Sequence, residues 1–196
     1  MKGRLIAGVD EAGRGPIAGP VVAGCVLLRE PLMLEGVRDS KTLSESAREH
    51  LFRQIQQVAV AWSVGVASPR EIERLNILQA SLLAMRRALL ALPVNPHKVF
   101  VDGKFPVPDY PISQEAIVDG DALHPAISAA SIVAKVVRDR LMRDIDPLYP
   151  AYGFAQHKGY PTPAHLQSLA VYGACSQHRR TYAPVLQLCF EWGKEG

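Results

Sequence analysis

RLIAGVDEAGRGPIAG, residues 4–19, passes from an apolar run into two adjacent acids and then into a loop holding three glycines and a proline. An apolar run bounded by turn residues reads as a strand, here about 4–10, followed by a tight turn. Successive side chains in a strand point to opposite faces, so Asp10 and Glu11 can serve one site only if the strand ends between them. That requirement makes Asp10 the last strand residue and Glu11 the first of the loop. Gly13 and Gly15 let the loop backbone approach a ligand where a β-carbon would clash, and Arg14 between them can reach an anion.

Working outward, two further acids follow short apolar runs: Asp102 in KVFVDGK and Asp121 in IVDGDALHP. Carboxylates brought from distant segments to neighbouring strand ends suit hard divalent cations. Asp119, beside Asp121, reads as solvated. Further strands are predicted over 20–28, 58–67, 97–102 and 112–118. The first three strands lie close in sequence, which favours an antiparallel meander. The strand, long helix and strand between 58 and 102 imply a parallel crossover. Helical periodicity covers 44–56 and 70–92, where Leu75, Leu78, Leu82, Met85 and Leu89 form a core stripe. A helix over 126–144 starts behind Pro125 with small residues along one face, which allows close packing on a sheet, and another covers 163–173. The fold class is therefore α/β, with a mixed five-stranded sheet flanked by helices. Residues 1–196 read as a single domain, with a core over about 1–143 and a helical C-terminal lobe over about 144–196.

The 196 residues are 48% hydrophobic and 21% charged, as in an ordinary globular domain. With no apolar run of membrane-spanning length and no leader ahead of the first strand, a cytoplasmic protein is expected. Cys25, Cys175 and Cys189 lie far apart and form neither a disulfide framework nor a zinc pattern. The histidines show no metal-ligand spacing, and His50, His97 and His165 read as solvated or satisfied locally, so a metal should sit on oxygen. Net charge is +3, and the excess falls in residues 130–196, with 8 Lys+Arg against 5 Asp+Glu. There His157, Lys158, His178, Arg179 and Arg180 read as a basic surface suited to phosphates.

The segments GVDEAGRGPIAGPVVA, DSKTL, VDG, GDA to AASIVAK, and YGFAQHKGYPT resemble type 2 ribonuclease H of the bacterial kind, in order and in spacing, from about residue 5 to about residue 184. The resemblance implies the ribonuclease H fold and assigns the catalytic and metal site to Asp10, Glu11, Asp102 and Asp121, the last acid being the one after Gly120. Two cations, Mg2+ or Mn2+, on such a set generate hydroxide and stabilise the departing oxygen in an in-line displacement. No Ser-His, Cys-His or P-loop arrangement competes with that reading. RNA is told from DNA by its 2′-hydroxyl. The resemblance implies that the backbone of Gly13, Arg14 and Gly15 reads it, that Tyr160 packs on the sugar, and that Lys41 and Lys135 contact phosphates. The substrates implied are RNA-DNA hybrids and DNA duplexes with embedded ribonucleotides, cut 5′ to the ribonucleotide to leave 3′-hydroxyl and 5′-phosphate ends.

Gln187, Leu188 and Phe190 near the end resemble peptides that dock on replication sliding clamps, a groove-binding mode. A monomer is expected, since no symmetric interface pattern stands out. The alternative within enzymes is the type 3 relative, whose additional amino-terminal domain finds no room before an acid at residue 10. A non-catalytic nucleic-acid-binding module is the alternative outside them, and metal-stimulated cleavage separates the two.

Overall fold

Residues 21–28 are buried without interruption, which a strand shows only when both faces of its sheet are covered. The computed structural model describes residues 3–31 and 43–192, with side chains described as far as Gln187. Five strands, β1 (Leu5–Ala12), β2 (Val21–Arg29), β3 (Ala61–Ala67), β4 (Lys98–Asp102) and β5 (Gln114–Ile117), form one sheet in the order β3-β2-β1-β4-β5. β1, β2 and β3 are antiparallel, while β4 joins β1 and β5 joins β4 in parallel, so the expected mixed sheet is the one observed.

The helices are α1 (Glu45–Val58), α2 (Pro69–Leu75), α3 (Ile77–Leu90), α4 (Gly120–Leu123), α5 (Pro125–Ile145), α6 (Phe154–His157), α7 (Pro163–Tyr172) and α8 (Ala183–Trp192). α3 covers one face of the sheet, where Val9, Cys25 and Leu27 meet Leu82, Met85 and Leu89. α1 and α5 cover the other, where Val26 and Leu28 meet Phe52, Ile55 and Val133. α5 lies with its backbone almost on the strands. A β-carbon on Gly8 would stand 2.1 Å from the carbonyl carbon of Ala126, and one on Gly24 would stand 2.4 Å from the Ala130 oxygen. The small face predicted for this helix is what permits that approach.

Several boundaries differ from expectation. The helix predicted over 70–92 is two helices, broken at Asn76, whose φ of 68° interrupts the turn and whose side chain caps α3 by accepting from the Gln79 amide. The third strand starts at Ala61 and not at 58, because α1 runs on to Val58. The C-terminal segment grips the loop after β1 through backbone pairing. Gly19 N donates to Gln177 O at 2.8 Å, Arg179 N to Ile17 O at 2.8 Å, and Ile17 N to Gly159 O at 2.9 Å. Among the described residues no helix is long and apolar enough to cross a membrane.

Candidate active site

Parallel pairing of β1 with β4 ends at Val9 and Val101, and one further step along that register brings Asp10 beside Asp102 at the carboxyl edge of the sheet. β5 pairs with β4 as far as Ile117, and the chain then turns through Asp119, in the left-handed region at φ 54°, into α4. The turn leaves Asp119 exposed and Asp121 only 6% exposed. Gly120 N donates to Asp102 Oδ1 at 2.8 Å, which ties the third acid to the fourth. All four acids line one cleft of about 420 Å³.

β1 does not end between Asp10 and Glu11. It continues to Ala12, because β2 keeps pairing with it, Glu11 opposite Ala23 and Ala12 opposite Val22. The two acids therefore straddle the sheet. Asp10 shares its cleft with Asp121 and the α5 residues Ser131 and Lys135. Glu11 also opens onto a second cleft of about 370 Å³ on the α3 side, with Leu82, Met85 and Asp102. One site can still use both, because β4 stops at Asp102 and leaves the end of β1 open from either face.

Burial, then the charges of Glu11 and Asp102, holds the Asp10 carboxyl well above the usual carboxylate range. Burial raises Glu11 as well, against the opposing pull of the Arg14 guanidinium, which lies 3.2 Å from its Oε1. Thus the anion that Arg14 reaches is Glu11. Among the described residues no three acidic, histidine or cysteine side chains are already gathered into a coordination shell. The acids have local partners instead: Asp10 Oδ1 takes the Glu11 amide at 2.6 Å, and Asp102 takes that of Gly120. The donor set nevertheless fits a hard divalent cation, being all oxygen, largely buried and mutually repulsive.

The other predicted residues divide. Gly13 has φ 97°, and the place of its missing β-carbon is filled by Arg138, whose Nε would stand 1.9 Å away. Tyr160 is 44% exposed, with its ring edge 3.7 Å from the β-carbon position of Gly15, so loop and tyrosine form one wall. Lys135 faces the cleft with Nζ 2.7 Å from Asp139 Oδ1. Lys41 lies outside the described residues. Arg48 of α1 also lines the cleft, and nothing in the sequence marks it apart from any solvated helical arginine.

The basic surface predicted near the end is not a surface at its centre. His178 is 1% exposed and Arg179 is fully buried. His178 belongs to a ring cluster beneath Tyr160, in which His157 stacks on His165 at 4.2 Å and His165 Nε2 meets His178 Nε2 at 3.1 Å. Cys25 and Cys175 are free thiols, as expected, and burial pushes Cys25 up to about 12.

Comparison with known proteins agrees with this fold. The family model for ribonuclease HII matches residues 7–185. A ribonuclease HII of Polynucleobacter necessarius is 55% identical over 184 residues, covering 92% of this chain and 93% of the relative. The crystal structure of ribonuclease H2 from Pyrococcus horikoshii is similar with a TM-score of 0.83 at 30% identity, over 97% of this chain and 99% of that one. A ribonuclease HII from Archaeoglobus fulgidus, solved in complex with PCNA, is similar with a TM-score of 0.70 at 25% identity, over 93% and 96%.

Proposed function

Because this chain belongs to the ribonuclease HII family, endonucleases that hydrolyse RNA paired with DNA, we propose that it also incises duplex DNA on the 5′ side of a single embedded ribonucleotide, leaving 3′-hydroxyl and 5′-phosphate ends. The observation that carries this reading is the shared cleft, which the four acids line together with Gly13, Arg14 and Tyr160.

Asp10, Glu11, Asp102 and Asp121 would hold two divalent cations, Mg2+ or Mn2+, whose bound state supplies an activated water and a Lewis acid at the departing oxygen. Repulsion among these acids favours cation binding, since neutralising them relieves the penalty on Asp10. The amides of the Gly13–Gly15 loop would donate to the 2′-oxygen, and the Tyr160 ring would lie on the sugar beside it. Lys135 and Lys41 would contact phosphates, giving affinity without sequence preference and a fall in binding with salt. The α/β core supplies the acids and the C-terminal lobe supplies Tyr160, the two acting as one domain in a monomer.

The test is cleavage of a labelled DNA duplex containing one ribonucleotide, beside all-DNA and long-hybrid controls, with Mg2+, Mn2+ or chelator. A metal-dependent cut immediately 5′ to the ribonucleotide is expected. Hybrid cleavage without that cut would reject the junction reading and keep the chemistry.

The PCNA complex of the Archaeoglobus relative supports a second contact, with a sliding clamp, for which Gln187, Leu188 and Phe190 are the residues proposed. Gln187 is exposed on α8, and the side chains of Leu188 and Phe190 lie outside the described residues. Clamp binding that survives deletion of 186–196 would eliminate this contact.

A further inference from the structure

A guanidinium taken wholly out of water is costly unless its donors are matched, so what Arg179 binds explains why it is there. Its Nη2 donates to Gly13 O at 2.6 Å, its Nη1 to Arg14 O at 3.0 Å and to Tyr182 Oη at 3.1 Å, and its Nε to Gly19 O at 2.9 Å. Tyr182 Oη donates in turn to Arg14 O at 2.8 Å. Three carbonyls of the loop after β1 are thus fastened to one planar fork that comes from a residue more than 150 positions away. In a planar trans peptide the N–H points opposite to the C=O it is bonded to. Fixing Gly13 O and Arg14 O on the buried side therefore turns the amides of Arg14 and Gly15 toward the exposed side of the loop. The Arg179 amide meanwhile donates to Ile17 O, and Ile17 N donates to the carbonyl of Gly159, the residue before Tyr160.

We propose that Arg179 is a positioning residue for sugar recognition: by holding the carbonyls of Gly13 and Arg14 it aims the Arg14 and Gly15 amides and sets their distance from Tyr160. The inference rests on the sugar-reading role proposed for that loop. It assigns selectivity, not cation binding, to Arg179, since the contacts of its guanidinium are to the loop carbonyls and Tyr182, not to the four acids. Lysine at 179 keeps the charge but cannot reproduce a planar fork with donors to three carbonyls.

The experiment compares affinity for two DNA duplexes, one carrying a ribonucleotide and one a 2′-fluoro nucleotide at the same position. Binding is measured in Ca2+ by fluorescence anisotropy, for the wild type and for Arg179→Lys. Fluorine keeps the sugar shape of RNA but accepts hydrogen bonds poorly. The wild type should prefer the ribonucleotide by about tenfold, the worth of one directed hydrogen bond. Arg179→Lys should lose that preference while binding the fluoro duplex within about twofold of wild type, a margin below the effect of one hydrogen bond. The Tm shift on adding Mg2+ should be retained. Tyr182→Phe, a milder change, should fold and lower the preference by about threefold, part of one hydrogen bond's effect. Preference retained in both variants would overturn the proposal, as would an equal loss of affinity for both duplexes, which marks a purely structural role. A wild type with no preference would instead reject the sugar-reading loop itself.

Discussion

Acidifying the protein from pH 7.5 to 5 should destabilise it through His165 and His178. The hydrogen bonds permit one arrangement of neutral tautomers. His178 Nδ1 accepts from the Cys175 amide at 3.0 Å, so its proton is on Nε2 and is donated to His165 Nε2. His165 must then carry its own proton on Nδ1, where it meets the carbonyl of Tyr160 at 2.8 Å. A proton added to His165 would set two N–H groups against each other, and one added to His178 would displace the Cys175 amide. Burial is the main reason that both are held down to about 4, against 6.5 in the unfolded chain. A base with a lowered folded pKa costs stability as pH falls from its unfolded value toward its folded one, because the unfolded chain takes up the proton first. At pH 5 this amounts to about 2 kcal/mol per histidine, and allowing for water entry and relaxation the pair should contribute roughly 2 kcal/mol. In a chain of this size that is a fall in Tm of about 4–8 °C. Calorimetry of the wild type and of a His165→Asn, His178→Gln double variant across this range measures it. Parallel Tm profiles for the two proteins would refute the reasoning.

Asp102→Asn should keep the Gly120 amide bond through its amide oxygen, fold, and lose activity by at least about a hundredfold. Removing one of the charges that burden Asp10 should leave its metal-free Tm equal to or above that of wild type, with a smaller rise on adding Mg2+ or Mn2+; unfolded protein would give Asp102 a structural role instead. Gly8→Ala should cost about 3 kcal/mol or more in urea unfolding, since its methyl would meet the Ala126 backbone and neither strand nor helix can yield. Near-wild-type stability of this variant would mean that α5 sits farther from the sheet.

The acids were legible because each stands behind an apolar run, and the antiparallel meander and the parallel crossover followed from where runs and helices alternate. What escaped was set by partners distant in sequence. β1 outlasts Asp10 because β2 goes on pairing with it, which no local pattern records. The break at Asn76 interrupts a continuous helical stripe, and one asparagine is weak notice of it. Arg179 and His178 counted as surface charge because composition cannot reveal that the loop after β1 folds back over them. The same blindness hid Arg138, which fills the space left by Gly13. The left-handed turn at Asp119 explains in hindsight why one acid of the pair 119 and 121 is buried and the other is not.

The distance along the chain between Gly13 and Arg179 sets an order of events during synthesis. A ribosome delivers the amino terminus first, and domains assemble as their parts emerge. All four acids, Gly8, Gly24 and the helix that packs on them are synthesised before Tyr160, His178 and Arg179. The four acids proposed to hold cations are thus present in the chain before the parts that anchor the proposed sugar-reading loop, and a nascent chain halted near residue 150 carries the acids without the clamp. On the proposed reading, discrimination is the last property this protein acquires as it is made.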